Sequence, residues 1–392
     1  MASSSTSKLG PDLLVISPKY RPDRGGLSDY TFYFLQNFHE LFPERTALLL
    51  TTASESIKNY SKDDPRVLAI IPTWGFGGLR SLTACLLQKK PKTVLIQYVP
   101  YMYGKAGINF FFPLWVLFAR LFLRQRFHLM AHELFHPSEF SLKGQILFWS
   151  HLWMLAVLGF ASHAVFCSTK HFAFLVRIVT LGLRHPVVLP VGPNIARAVG
   201  PYSLTPKNIV LFGSAHPSKN YSLVLKCLEQ YFKADQHSYR LLIIGQSAED
   251  IKSVCARSNF SLEKHFWEHT QCLGELPENK VAEIFATSHL SINYFVDGIS
   301  LRRGSAISAL NSGVPVVTTL DKKSDSIFFD QPFMFLFPPE EKLFRDALLS
   351  FLHSYKNLEA EALELLRKQA MEFVDQEFAW KVIVTKYERY LK

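Results

Sequence analysis

Cysteine is scarce. The five residues, Cys85, Cys167, Cys227, Cys255 and Cys272, are odd in number, scattered and never in a Cys-x-x-Cys pair, which excludes a disulfide scaffold or a zinc ribbon. The start of the chain lacks the apolar core and cleavage site of a secretory signal. Its first ten residues are Ser-rich with only Lys8 charged, and read as a short frayed start to a cytoplasmic protein. No repeat of fixed short period is present. Acidic residues are nearly missing from a long central stretch: between Arg66 and Leu228, 17 basic residues face only Glu133 and Glu139. What is abundant is apolar and aromatic matter, 48% and 14% of 392 residues, with 33 Phe. That excludes a disordered or collagen-like chain and leaves room for two or three domains, each with its own core.

Charge is unevenly distributed. Residues 1–199 carry 21 Lys+Arg against 10 Asp+Glu, and the remainder 22 against 23, so the halves are +11 and −1. A basic half seeks a polyanion. Its cations are interleaved with apolar runs, notably 110–118 followed by Arg120, Arg124 and Arg126. This suits an anionic membrane surface better than nucleic acid, which is not expected as a partner. A core helix with a solvated basic edge is the competing reading. The uncharged stretch 146–167 is long enough to span a bilayer. It contains Ser150, His151, Ser162 and His163, with Gly159 before a strand-like segment, and is read as a buried helix followed by a buried strand.

Strand-like apolar runs begin at Leu13, Ala47, Val67, Val94, His128 and Ala164, and after a Pro/Gly-rich junction at 190–206 they resume at Ile209, Leu241, Leu290 and Val314. Unbroken apolar strands alternating with helical stretches mean parallel sheets covered on both faces. The expected architecture is α/β with two doubly wound domains: 1–199, which is basic; 200–375; and a terminal helix, 376–392, whose Trp380, Ile383, Tyr387 and Leu391 fall on one face.

In open α/β sheets ligands sit beyond the carboxyl ends of the strands, which gives the loops there priority. The segment from Asp297 to Ser305 follows the Leu290 strand and leads into a helix. Arg302 and Arg303, with Gly298, Ser300, Gly304 and Ser305 around them, offer a diphosphate cradle of cations and helix N–H groups. Lys219 closes the loop that starts at Gly213 after another strand. Gly25 and Gly26 follow the first strand and permit close approach of a ligand; the loop 74–78 is a weaker signal of the same kind. His132 and Glu133 sit at a strand's carboxyl end. They do not form a zinc-protease motif with His136, because Pro137 and the preceding strand oppose a helix there.

Taken in order, Gly25–Tyr30, Gln97–Gly104, His132-Glu133, Gly213–Lys219, Leu273–Leu276, Asp297–Ser305 and Gly313–Val317 resemble the family-four-type glycosyltransferases of the GT-B fold over most of the chain. The resemblance implies two Rossmann-like domains with a cleft between them, 1–199 on the acceptor side and 200–375 binding a nucleoside diphosphate sugar as donor, a terminal helix that crosses back to the first domain, and no metal or cofactor. By position, Lys219 matches the family's phosphate lysine, His132 the histidine near the donor sugar, and Gly25-Gly26 the glycine loop beside the diphosphate. Gly213, Glu275, Asp297, Gly298, Ser300, Gly304 and Ser305 fall on the donor side; Tyr98, Tyr101, Tyr103 and Glu133 fall on the acceptor side. Two departures stand out. Ser308 occupies the place of the family's second, ribose-binding Glu, and the usual Arg is missing from Gly213–His216. Arg302 and Arg303 are expected to replace that cation.

The resemblance thus implies a retaining, metal-independent hexosyltransferase acting on a saccharide or lipid-linked acceptor, with roles in polysaccharide biosynthesis; the missing signal and the basic, apolar first half add the expectation of a place in the cytoplasm, peripheral on the inner membrane face. Two alternatives remain: a non-catalytic binding subunit that keeps the fold, and a nucleotide-sugar epimerase or hydrolase.

Overall fold

Strands that are buried on both faces need side chains that are apolar in both directions, and the segment Leu13-Leu-Val-Ile16 shows how the chain uses this. Leu14 and Ile16 enter one core while Leu13 and Val15 enter another on the opposite side, as the period of two requires. The computed structural model describes residues 10–60, 64–136, 140–198, 205, 207–216, 218–235 and 239–391. Residues 1–9, where the sequence suggested a frayed start, Pro137, Glu139, Pro217 and junction residues 199–204 and 206 lie outside the described residues.

The chain divides into two compact units. Unit 1 is built from β1 (Leu13–Ser17), α1 (Gly26–Leu41), β2 (Ala47–Thr52), α2 (Glu55–Tyr60), β3 (Val67–Ile71), α3 (Phe76–Lys89), β4 (Thr93–Tyr98), α4 (Phe111–Phe122), β5 (Phe127–Ala131), α5 (Leu142–Ala161), β6 (Ala164–Cys167), α6 (Lys170–Val179) and β7 (Val187–Val188). Its sheet runs β3-β2-β1-β4-β5-β6-β7, with every pairing parallel. Helices α3 to α6 cover one face through Leu82, Val116, Leu155 and Val176. Tyr30, Phe34 and Phe38 of α1 and Ile57 of α2 cover the other. Strand order reverses direction between β1 and β4, which makes the loops after those strands the binding edge.

Unit 2 contains β8 (Asn208–Phe212), α7 (Tyr221–Ala234), β9 (Arg240–Ile244), α8 (Ala248–Arg257), α9 (Lys264–Glu268), β10 (Thr270–Gly274), α10 (Glu278–Ala286), β11 (Ser288–Asn293), α11 (Gly304–Asn311), β12 (Val316–Thr319), β13 (Met334–Phe337), α12 (Glu341–Tyr355) and α13 (Ala360–Glu377). Its parallel sheet runs β10-β9-β8-β11-β12-β13, and the reversal falls between β8 and β11. The last helix, α14 (Trp380–Glu388), belongs to unit 1. Trp380 packs edge-on to Tyr30 at 5.1 Å, and Tyr387 to Phe34 at 5.1 Å.

Three sequence expectations differ from the structure. The units change over at Val191/Gly192 and Ala379/Trp380, where the sequence suggested 199/200 and 375/376. Residues 192–198 go with unit 2 because Asn311 donates to the Ile195 carbonyl at 2.9 Å and Arg197 holds Asp375 at 2.9 Å. Phe378 stays there too, stacked on Phe328 at 5.6 Å. Second, α5 is not a buried helix. Leu147, Met154 and Leu158 face the core, whereas Ile146 and Trp149 are exposed. Third, β7, β10 and β13 were not read as strands; each is at the edge of its sheet, flanked on one side only.

Candidate functional site

In unit 2 the loops after β8 and β11 flank the reversal of strand order, and both were singled out in the sequence. The β8 loop leaves Phe212 through Gly213, whose φ of +102° suits glycine and whose missing Cβ would lie 2.9 Å from Lys219 Nζ. Lys219 doubles back across the strand end: Nζ donates to the Phe212 carbonyl at 3.1 Å and to Ser305 Oγ at 3.3 Å. The Val296 N–H donates to the Ser218 carbonyl at 2.9 Å, which ties this loop to the one after β11.

The β11 loop carries the other cations. Gly298, at φ +76°, is pressed against the 321–324 turn, and a Cβ there would collide with Ser324 Oγ and lie 2.8 Å from the Asp321 nitrogen. Asp297 accepts from Arg302 at 3.1 Å and also pairs with Arg303. The Arg303 guanidinium lies over the Phe295 ring at 4.4 Å, and Lys219 approaches the same ring at 5.8 Å, so one aromatic ring serves two cations. Gly304 and Ser305 open α11.

Electrostatically this cluster is short of anions. Burial, and after it the neighbouring Arg303, lowers the Lys219 pKa to about 8; burial lowers that of Arg303 to about 10. Arg303 Nε and Ser300 Oγ are buried with no hydrogen-bond partner among the described residues. Buried donors left unpaired cost free energy on the order of 1–3 kcal/mol each, and an anion with several acceptor oxygens removes that cost. An open cavity of about 310 Å³ beside Lys219 is lined by His216, Tyr221, Val254 and Arg257 among others.

Lys219, Gly213, Asp297, Arg302, Arg303 and Ser305 are thus brought together. Glu275 is not drawn into this cluster: it is exposed after edge strand β10. Ser308 is fully buried, its Oγ donating to Asn194 Oδ1 at 2.7 Å and accepting from the Asn194 N–H at 3.2 Å; it is knitted into the unit rather than offered to a ligand. His216, in the stretch that lacks the usual Arg, bonds locally to Ser218 Oγ at 2.9 Å. The sequence reading missed Gly245, which follows β9 at φ +90° and packs against Gly213; a glycine directly after the apolar run 241–244 was the available signal. Gly274, in the segment 273–276, ends β10 at φ +60°, its carbonyl accepting from the Gly245 N–H at 2.6 Å.

In unit 1, Gly25 precedes α1 and Gly26 opens it, both exposed after β1, with free space around Gly26. His132 follows β5. Its Nε2 lies 2.6 Å from Gln97 Oε1, and its ring meets Tyr30 edge-on at 4.5 Å. Burial lowers its pKa to about 3, so the imidazole is neutral and is a hydrogen-bonding group rather than a charge. Glu133 beside it is exposed.

Two acceptor-side expectations fail. Tyr98 and Tyr103 are fully buried, stacked at 6.0 Å, and the Tyr103 hydroxyl donates to the Gln97 carbonyl at 2.7 Å. They are core, because Trp74 and Phe112 close over Tyr103. Only Tyr101 reaches the surface, bonded to His136 Nδ1 at 2.5 Å. Among the described residues, no three His, Cys, Asp or Glu side chains group as metal ligands.

No protein-family model matches the chain, and no curated protein matches its sequence. Solved structures do match. Sucrose-phosphate synthase from Thermosynechococcus elongatus superposes with a TM-score of 0.71 at 13% identity, covering 96% of this chain and 97% of that one. HepE from Anabaena, in complex with UDP and glucose, gives 0.68 at 13% identity over 97% and 98%. WaaG, a glycosyltransferase involved in lipopolysaccharide biosynthesis, gives 0.67 at 11% over 97% and 99%. With two doubly wound parallel-sheet units and these neighbours along nearly its whole length, the chain has the GT-B fold.

Proposed function

We propose that the protein is a retaining glycosyltransferase that moves a hexose-type sugar from a nucleoside diphosphate donor to a saccharide or lipid-linked acceptor without a metal. The observation that carries this reading is the cation cluster at the strand-order reversal of unit 2. Lys219, Arg302 and Arg303 converge there with one carboxylate, Asp297, between the arginines, and with two buried donors unpaired. Such a cradle takes a diphosphate, whose oxygens replace the Asp297 carboxylate as partners of the arginines. The UDP and glucose bound by HepE and the lipopolysaccharide role of WaaG support this choice of donor and acceptor class.

In this reading the C1–O bond to the diphosphate breaks as the acceptor oxygen bonds C1 from the same face. The acceptor proton passes to the leaving phosphate oxygen, so no protein nucleophile is needed. Negative charge grows on the diphosphate, where Lys219, Arg302, Arg303 and the first turn of α11 stabilise it. In unit 1, His132, neutral and fixed by Gln97 and Tyr30, is assigned a hydrogen bond to a sugar, and Gly25 and Gly26, with open space around Gly26, a close backbone approach to a ligand. Ser308 binds no ribose, so the ribose contact comes from another group.

Thermal unfolding in the presence of UDP, GDP, ADP or CMP tests the cradle. A ligand at 100 times its Kd stabilises by about 2.7 kcal/mol. One diphosphate is expected to raise the Tm of the wild type and not of Arg302→Ala or Lys219→Met. Failure of all four favours the non-catalytic reading instead. The anomeric configuration of the product, read by NMR, tests retention.

A further inference from the structure

The helical layer on one face of unit 1 presents apolar side chains to solvent at helical spacing. Leu114, Phe118, Leu121 and Phe122 of α4 are exposed, Phe122 at 73%. Next to it, α5 exposes Leu142, Ile146, Trp149 and Trp153, with Trp149 at 61%. Phe110, just before α4, meets Trp153 edge-on at 5.1 Å. Phe174 and Ile178 of α6 continue the surface, and Leu181 and Leu183 follow the helix. Each helix keeps a second apolar side for the core, so α4, α5 and α6 are apolar on two sides, which an ordinary surface helix is not. An exposed apolar surface running across three neighbouring helices marks an interaction site.

Charge selects the occupant. Residues 105–191 carry eight Lys and Arg and two acids. Arg124, Lys143 and Arg177 are exposed at this layer. Arg120 and Arg126 are not free to join them: Arg120 donates to the Phe160 carbonyl, and Arg126 to the Tyr390 carbonyl at 3.0 Å. A second copy docking by twofold symmetry sets this basic rim against itself, and nucleic acid leaves the apolar centre uncovered. An anionic bilayer satisfies both: acyl chains take the apolar stripe, headgroups take the lysines and arginines, and Trp149 and Trp153 suit the boundary. Helix α5 has a mean hydropathy of 1.4 and the length of a span, but Leu147, Met154, Leu155 and Leu158 are in the sheet's core and β5 and β6 pair directly on either side of it in sequence. It lies along the surface rather than across it.

We infer that the α4–α5–α6 face seats unit 1 on an anionic lipid bilayer. This rests on the surface of unit 1 alone and not on the transfer reading. Co-sedimentation of the full chain with phosphatidylglycerol/phosphatidylcholine vesicles and with phosphatidylcholine vesicles tests it, beside two triple variants at exposed positions: Arg124→Glu/Lys143→Glu/Arg177→Glu, and Phe122→Ser/Trp149→Ser/Phe174→Ser. Wild type is expected to bind the anionic vesicles preferentially, and each variant to lose about tenfold or more in partitioning, with circular dichroism and Tm unchanged. Wild type remaining in the supernatant overturns the proposal. So does binding that neither variant weakens, or a dimer in analytical ultracentrifugation that the Ser variant dissolves while vesicles leave the wild type untouched.

Discussion

Lys219 has an opposed set of demands on it. Its ammonium is withdrawn from water onto a carbonyl and a hydroxyl and stands beside Arg303, so its pKa falls to about 8 from 10.5. A folded-state pKa below the unfolded one means that the unfolded chain binds the extra proton between those values. The contribution of Lys219 to stability is therefore present above about pH 10.5 and is lost as pH falls through about 8. A bound diphosphate reverses the preference, since it rewards the charged form. Affinity for UDP, measured by calorimetric titration, is thus expected to hold below pH 8 and to weaken above it by up to tenfold per unit, while the ligand-free protein gains stability over the same range. Lys219→Met removes both trends. A flat affinity from pH 7 to 9.5 in the wild type refutes the assignment. The arginines show why the site was only partly legible. The sequence placed Arg302 and Arg303 after a strand and before a helix, but not that Asp297 bridges them or that Phe295 lies beneath one of them; these contacts follow from the close turn at Gly298. Tyr98 and Tyr103 misled for the converse reason. Aromatic residues around a strand end look like surface until Trp74 and Phe112 pack over Tyr103, and no spacing rule reports that.

Among elements, legibility followed burial. The central strands β1, β4 and β8 are buried and spell near-continuous apolar runs, whereas β11, Ser-His-Leu-Ser-Ile-Asn, is as buried and was legible only around Leu290 and Ile292. Edge strand β10, Thr-Gln-Cys-Leu-Gly, is half-exposed and carries polar residues, which erased the pattern on which the reading relied. Helix α14 was legible as an amphipathic helix and, through the resemblance, as one that crosses back to the first domain; that it meets α1 there became visible only in three dimensions. Trp380, Ile383, Val384 and Tyr387 are buried with α1, at about 1.5–3 kcal/mol for a fully buried apolar side chain. One polar contact is buried with them: the Tyr387 hydroxyl lies 3.1 Å from His128 Nδ1, in the centre of β5. His128 Nε2 has no partner among the described residues, and burial, reinforced by Arg126 and His163, lowers the His128 pKa to about 3. Tyr387→Phe leaves the ring without either bond and is expected to cost about 1–3 kcal/mol in urea unfolding. Tyr387→Ala, which also empties a core position beside Phe34 and Phe166, is expected to cost about 3–5 kcal/mol. Equal costs for the two variants would show that the hydroxyl contributes and the ring does not, contrary to the packing.

At the scale of the whole molecule, the two units differ in what they offer a ligand. Unit 2 is nearly neutral and gathers Lys219, Arg302 and Arg303 around one carboxylate at one strand edge; unit 1 is basic from Arg66 onward, with Arg120, Arg126 and Arg184 committed to main-chain carbonyls. The GT-B fold does not by itself select a reaction, because a cradle that stabilises a leaving diphosphate serves an acceptor hydroxyl, a water molecule or an elimination equally well. The distinction lies in what reaches C1 of the sugar. In the proposed reading the acceptor hydroxyl is the nucleophile and the leaving phosphate is its base, so a donor bound alone has no partner for its proton transfer. Incubation with a UDP-sugar alone, followed by anion-exchange chromatography of the nucleotides, is expected to leave the donor intact over hours, whereas an acceptor releases UDP in proportion to product. Free UDP without acceptor makes the protein a hydrolase, and a donor sugar returned with altered stereochemistry makes it an epimerase. Either result is compatible with the proposed arginine cradle and moves the question to the nucleophile, since the role proposed for Lys219, Arg302 and Arg303 is on the diphosphate in all three reactions.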